Sequence, residues 1–143
     1  MLKITCTDWH TNGEWARFIR RSVFVHEQGI PEHEEWDNED ASATHAVAWL
    51  GEQAVGTARL LRSGKIGRMA VLSQHRRQGI GAAMLQALLK VALEQGFTTV
   101  RLSAQKHAVP FYSRHGFEPD ADPHIEVGIP HQWMCKKLAV NKQ

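Results

Sequence analysis

Only two cysteines, Cys6 and Cys135, occur in the 143 residues. That supply neither defines a disulfide framework nor offers paired metal ligands, so reduced thiols in a cytoplasmic protein are expected. Long apolar runs are also missing: nowhere do about 18 apolar residues follow one another, which argues against a helical membrane span. The first turn of sequence carries Asp8, His10 and Glu14 where a secretion signal would be apolar. Basic runs stop at the pairs Arg76-Arg77 and Lys136-Lys137, with no aromatic platform or Cys/His finger spacing beside them, so no nucleic-acid partner is expected. Nine histidines invite a metal, yet neither His26-Glu27 nor His33-Glu34 completes a His-Glu-x-x-His pattern, and no metal is assigned. Internal repeats and low-complexity tracts are absent as well.

A chain of this length with 43% hydrophobic residues suffices for one domain with a real core, so residues 1–143 are read as a single domain. Its net charge of +2 conceals an asymmetry. Six of the fifteen acidic residues fall between Glu32 and Asp40, leaving the remainder with 17 basic against nine acidic groups. A solvated acidic loop explains this, as does a surface that draws a cationic substrate, with Trp36 capping it by a cation–π contact.

Hydrophobic spacing gives the elements. Thr11-Asn12-Gly13-Glu14 has capping-box spacing, and Trp15, Phe18, Ile19 and Val23 share a face, which predicts a helix over about 12–25. Residues 26–40 read as irregular. Strands follow over 43–50 and 54–61 around a turn at Gly51-Glu52, and a second turn at Ser63-Gly64-Lys65 leads into a strand over 66–72. Met84, Leu85, Leu88, Leu89, Ala92 and Leu93 keep the period of a helix that Gly96 terminates. The strand over 98–103 then pairs in parallel with 66–72 through a right-handed crossover. A short helix over 108–115 and a terminal hairpin from 125–127 and 132–138 complete an α/β fold: a central mixed sheet of about six to seven strands, antiparallel but for one parallel pair.

Between the strand over 66–72 and the long helix lies Arg76-Arg77-Gln78-Gly79-Ile80-Gly81-Ala82. Glycines there let the main chain turn tightly at the positive end of the helix dipole, with N–H groups free to hold an anion. It is neither the Gly-x-Gly-x-x-Gly of dinucleotide folds nor a Gly-Lys-Ser/Thr loop. As Arg-x-x-Gly-x-Gly/Ala it resembles the acetyl-CoA-binding turn of the GNAT superfamily, the GCN5-related N-acetyltransferases. A second stretch, Ala104-Gln105-x-x-Ala108-x-x-Phe111-Tyr112-x-x-x-Gly116-Phe117, is similar to that family's Ala-x-x-Phe-Tyr-x-x-x-Gly-Phe segment. Val23 to Pro31 and Gly128-Ile129-Pro130-His131 look like segments of small bacterial members whose acceptors are mostly unassigned.

The resemblance implies that acetyl-CoA is a co-substrate, with Arg76, Arg77, Gln78, Gly79, Ile80, Gly81 and Ala82 around its pyrophosphate. Met69, Ala70 and Val71 would offer main-chain groups to the pantetheine arm, and Gln105, Ala108 and Phe111 would flank its end. Acyl transfer to an amine needs a neutral amine and a proton for the departing thiolate. Tyr112, the chain's only tyrosine, is the candidate donor, because a phenol of pKa about 10 is protonated at neutral pH. Many relatives carry a glutamate on the strand equivalent to 65–72, where this chain has none; Glu27 is the chosen base, with His26, His131 or an ordered water as alternatives. The expected partner is a small-molecule or peptide amine, and a homodimer is the default assembly. A non-catalytic acyl-CoA sensor or partner-binding module is the rival reading.

Overall fold

The computed structural model describes residues 1–138, in which eight strands form one mixed sheet flanked by helices. Across the sheet run β1 (Leu2–Thr7), β2 (Thr44–Leu50), β3 (Gln53–Leu60), β4 (Lys65–Val71), β5 (Thr99–Gln105), β8 (Ile129–Lys137) and β6 (Glu118–Pro119), while β7 (His124–Glu126) also pairs with β8. Every pairing is antiparallel except β4 with β5, as the strand–helix–strand order requires. The count exceeds the expected six to seven because β6, two residues long, gives no sequence periodicity.

Alternation along the central strands buries both faces. Ala46 and Ala48 face α3 (Ile80–Glu94), whereas Val47 between them faces α1 (Trp9–Arg20). On α3, Met84, Leu85 and Leu88 have no exposed surface, each worth on the order of 2 kcal/mol of transferred apolar area. Leu93, expected on that stripe, is instead 44% exposed near the helix end. The helix closes with Phe97 N–H on Ala92 C=O and Gly96 N–H on Leu93 C=O, the paired bonds of a left-handed cap.

Helix α1 begins earlier than its capping-box spacing suggested. Asp8 is the cap, its Oδ1 accepting from Thr11 N–H at 2.9 Å, and the chain stays helical through a wider π-type segment, Arg21–Glu27. Buried Asn12 donates to the His45 carbonyl at 3.0 Å, tying α1 to β2. No helix among the described residues is long and apolar enough to cross a membrane.

The acidic stretch is solvated only in part: Glu32, Glu34, Asp37 and Glu39 are exposed. It holds one helical turn, α2 (Glu32–Glu35), and buries Glu35 and Asp40 at 3% and 6% exposure. A closed circuit of charges does this: Arg20 pairs with Glu35 and Asp40, Arg59 with Asp40 and Asp37, and Arg68 with Asp37 and Glu35. The Arg68 Nε approaches Glu35 at 3.0 Å without pointing along a hydrogen bond, so that link is electrostatic only. Arg20 and Arg21 also lie over the Trp36 ring, so protein cations, not a substrate's, occupy its faces. Arg59 and Arg68 sit on β3 and β4, and the circuit therefore clamps α2 against the sheet beside the cleft described next.

Candidate active site

β4 and β5 are in register at only two pairs, Lys65 with Arg101 and Ile66 with Leu102. The cause lies on the other edge of β4. There Gly67 faces Arg59 and Ala70 faces Thr57, so Arg68 and Met69 together oppose Ala58. Such a bulge bends the strand, and Arg68 takes a left-handed φ of 49° to make it. β4 leaves β5, opening a cavity of about 660 Å³ whose walls include main chain from Gly67 to Val71.

Many of the residues singled out from sequence meet there. Met69, Ala70 and Val71 line one side, and Gln105, Ala108 and Tyr112 the other. Tyr112, delivered by α4 (Val109–Arg114), is 9% exposed, and its hydroxyl donates to Met69 Sδ at 3.6 Å. Burial pushes its pKa up to about 12, so the phenol keeps its proton throughout the neutral range. Phe111 does not line the cavity. Its ring packs edge-on against Tyr112 and lies beside Gly81, buttressing the start of α3.

The turn before α3 forms as its glycines suggested. Gly79 at φ +80° caps the helix with no side-chain hydrogen bond, and Arg77 is also left-handed at φ 64°. The first N–H groups of α3, around Ile80, Gly81 and Ala82, therefore point out of the helix without an intrahelical partner. Gln78 stands exposed in this turn. A Cβ on Gly79 would meet nothing within 4 Å, so the left-handed φ, not crowding, is what demands glycine there.

Arg76 lines the cavity and its guanidinium is already engaged: it grips both carboxylate oxygens of Glu27 at 2.7 and 2.6 Å and donates through Nε to the Val71 carbonyl at 2.9 Å. Glu27 does line the cavity, but the grip engages both of its oxygens and leaves neither free to take a proton from an acceptor; the same bonds hold its pKa below the ordinary carboxylate value. His26 is exposed and is not part of the cavity wall. His131 is in the wall and 8% exposed, and its Nδ1–H donates to the Ile129 carbonyl at 2.7 Å. Beside the Arg76 contact, Gln28 and Gln105 exchange side-chain amide hydrogen bonds of 3.0 and 3.4 Å.

Sequence reasoning missed a polar group at the far end of the cavity. Ser103 on β5 and Glu126 on β7 both line it, the Ser103 hydroxyl donates to Glu126 Oε2, and His124 Nε2 lies 2.6 Å from the same oxygen. The signal was hard to see, because Ser103 and Glu126 lie 23 positions apart and meet only through the pairing of β5 with β8 and of β8 with β7. A phenol, exposed main-chain amides and an ionised carboxylate around one cleft suit transfer of a group between an anionic donor and a cationic acceptor.

Known proteins agree with this architecture. The acetyltransferase (GNAT) domain profile matches residues 11–138. The uncharacterized N-acetyltransferase YjcF of Bacillus subtilis is 38% identical over 125 residues, covering 85% of this chain and 89% of that one. A crystal structure from Lactobacillus plantarum superposes with a TM-score of 0.90 at 30% identity, covering 96% and 99% of the two chains. An acyl-CoA N-acyltransferase from Pseudomonas aeruginosa does so at 0.85 and 32%, covering 95% and 99%. With its sheet, its cleft and nearly its whole described length matched in this way, the chain belongs to the GNAT acetyltransferase family.

Proposed function

We propose that this protein moves an acetyl group from acetyl-CoA to a primary amine by direct attack, with Tyr112 giving a proton to the departing thiolate. The observation that carries the reading is the position of the Tyr112 hydroxyl: buried, protonated, and beside Met69 at the point where β4 parts from β5. The pyrophosphate would be held by main-chain N–H groups of residues 78–82, with Arg77 as the nearby cation, since Arg76 is engaged by Glu27. The pantetheine arm would lie along the unpaired edge of β4, where Met69 N–H can polarise the thioester oxygen. The amine lone pair then forms the C–N bond as the C–S bond breaks, sulfur takes the Tyr112 proton, and the proton lost from nitrogen restores the phenol through solvent. Neither Cys6 nor Cys135 lines the cavity, which supports a route without an acyl-enzyme.

Tyr112→Phe tests this. It should lower kcat by about 10- to 10⁴-fold while leaving the coenzyme's Kd within about twofold, as general acid catalysis predicts. The measurement is free-thiol release with acetyl-CoA and a panel of primary amines, beside calorimetric binding of the coenzyme. An unchanged kcat removes Tyr112 from the mechanism. Tight coenzyme binding by the unaltered protein with no turnover for any amine makes it an acyl-CoA sensor instead.

A further inference from the structure

The carboxylates around the cavity are not alike. Glu27 is held at both oxygens by Arg76, and Glu35 lies between Arg20 and Arg68. Glu34, also in the wall, is exposed and has no ion pair among the described residues, whereas Glu126 is half-buried and fixed in place. Its near neighbours are a hydroxyl and an imidazole, Ser103 and His124, both on Oε2, while Oε1 has no partner among the described residues. A carboxylate gripped by no guanidinium and hydrogen-bonded at one oxygen keeps its other oxygen for whatever enters the cavity.

Its placement is set by register. Ser103 faces Trp133 across the β5–β8 pair, and His124 faces His131 across β7–β8, so Ser103, Trp133, His131, His124 and Glu126 share one face of the sheet. The stack is tight: the His124 ring lies parallel to Trp133 at 5.7 Å and tilted to His131 at 5.9 Å. Tyr112 belongs to the core cluster on the opposite face, with α3. Proton acceptor and proton donor therefore come to the cleft from opposite faces of the sheet, so one can serve the incoming nitrogen and the other the departing sulfur. Groups that bear on Glu126 are Ser103, His124, His131 and Lys65, and burial would raise its pKa, yet those bonds and charges hold it below the ordinary value. β4 carries no carboxylate; the hairpin of β7 and β8 brings one to the same cavity.

We propose that Glu126 receives the acceptor's ammonium group and takes its proton, which makes a strongly basic aliphatic amine, of the lysine side-chain or polyamine kind, the substrate class. This rests on the transferase reading above. One ammonium proton passes to Glu126 Oε1 and on to solvent, and the freed lone pair forms the C–N bond as the C–S bond breaks. Sulfur takes the Tyr112 proton, and the second proton lost from nitrogen restores the phenol through solvent. Ser103 and His124 are positioning residues that aim the carboxylate.

Glu126→Gln keeps the shape and removes the charge. The test compares the unaltered protein with this variant, using acetyl-CoA and two probe amines of different basicity, n-butylamine and 2,2,2-trifluoroethylamine, with thiol release followed across pH and coenzyme binding measured by calorimetry. At neutral pH the variant should lose about 10²- to 10³-fold in kcat/KM for n-butylamine, in the range of general base catalysis. The loss should shrink as pH rises toward the amine's own pKa, and should be under about threefold for the weakly basic probe, which arrives already neutral. Coenzyme Kd should not move, which separates this from a folding defect, and Ser103→Ala should give a smaller loss of the same pH form. An equal loss for both amines at every pH, or a changed coenzyme Kd, overturns the assignment. Full activity in Glu126→Gln overturns it while leaving the transferase reading intact. No thiol release from the unaltered protein with any amine overturns both.

Discussion

Glu27 shows how one contact changes a residue's chemistry. As a free carboxylate in the cavity wall it would be an obvious base, but Arg76 holds both of its oxygens and keeps it ionised at lower pH than usual. Glu27→Gln therefore ought to leave kcat within about threefold, far short of the 10²–10⁴-fold expected for a lost base. The same substitution frees a guanidinium beside the turn at Gly79, so coenzyme affinity should rise, and more so at low salt because the pair is exposed to solvent. Steady-state kinetics with coenzyme titrations at two ionic strengths check both expectations. A kcat collapse in Glu27→Gln restores it as the base.

At the scale of elements, legibility depended on how local the cause was. Helix α3 was readable because its stripe recurs within itself, and the turn before it because Gly79 must adopt a left-handed φ. The hairpin of β7 and β8 was placed from sequence, but β8 starts at Ile129, not near 132, because Val127 and Gly128 make the turn at left-handed φ values of 44° and 78°. The start of α1 was misread: Asp8 caps the helix by accepting directly from Thr11 N–H, so the chain is already helical where the Thr11 to Glu14 spacing suggested a cap. The helix's other end was placed within two residues, since Val23 on the apolar face lies inside the π-type segment that ends at Glu27. Gly13 looked like part of a capping signal, and its real constraint is contact. A Cβ there would fall 2.9 Å from Trp9 Cδ2, whose ring in turn lies against His45 and under Arg17. Gly13→Ala should accordingly lose its usual helix-propensity gain and destabilise the protein by about 1–3 kcal/mol, the range for an overpacked contact. Urea unfolding followed by tryptophan fluorescence measures it, and a stabilised variant refutes the contact argument.

Across the whole molecule, the charged circuit of Arg20, Glu35, Arg68, Asp37, Arg59 and Asp40 gathers residues up to 48 positions apart, which is why the sequence showed only an acidic stretch. It fixes the wall of the cleft formed by Glu34 and Glu35, so stability and site shape depend on the same ions. Removing one partner leaves the others buried and uncompensated, and Asp40→Asn should cost about 3–5 kcal/mol. The circuit also sets a pH dependence in two stages. Burial pushes the pKa of His45, whose Nε2 donates to the Asp40 carbonyl at 2.9 Å, below its ordinary 6.5. A histidine disfavoured as a cation contributes stability that is complete above pH 6.5 and declines as pH falls from there toward its folded value. Asp40 and Asp37 come next. Burial alone would raise both, yet hydrogen bonds and charge from Arg20, Arg59 and Arg68 outweigh it and hold them below 3.8, so their share is complete above that pH and vanishes as pH falls through the lower folded value. Unfolding midpoints in urea between pH 8 and pH 3 should thus fall first from about 6.5 and again below about 4, with His45→Gln removing the first decline and Asp40→Asn diminishing the second. A midpoint flat from pH 7 to pH 5 in the unaltered protein would mean that His45 takes up its proton without cost, and that the packing of β2 against this circuit is looser than its buried contacts require.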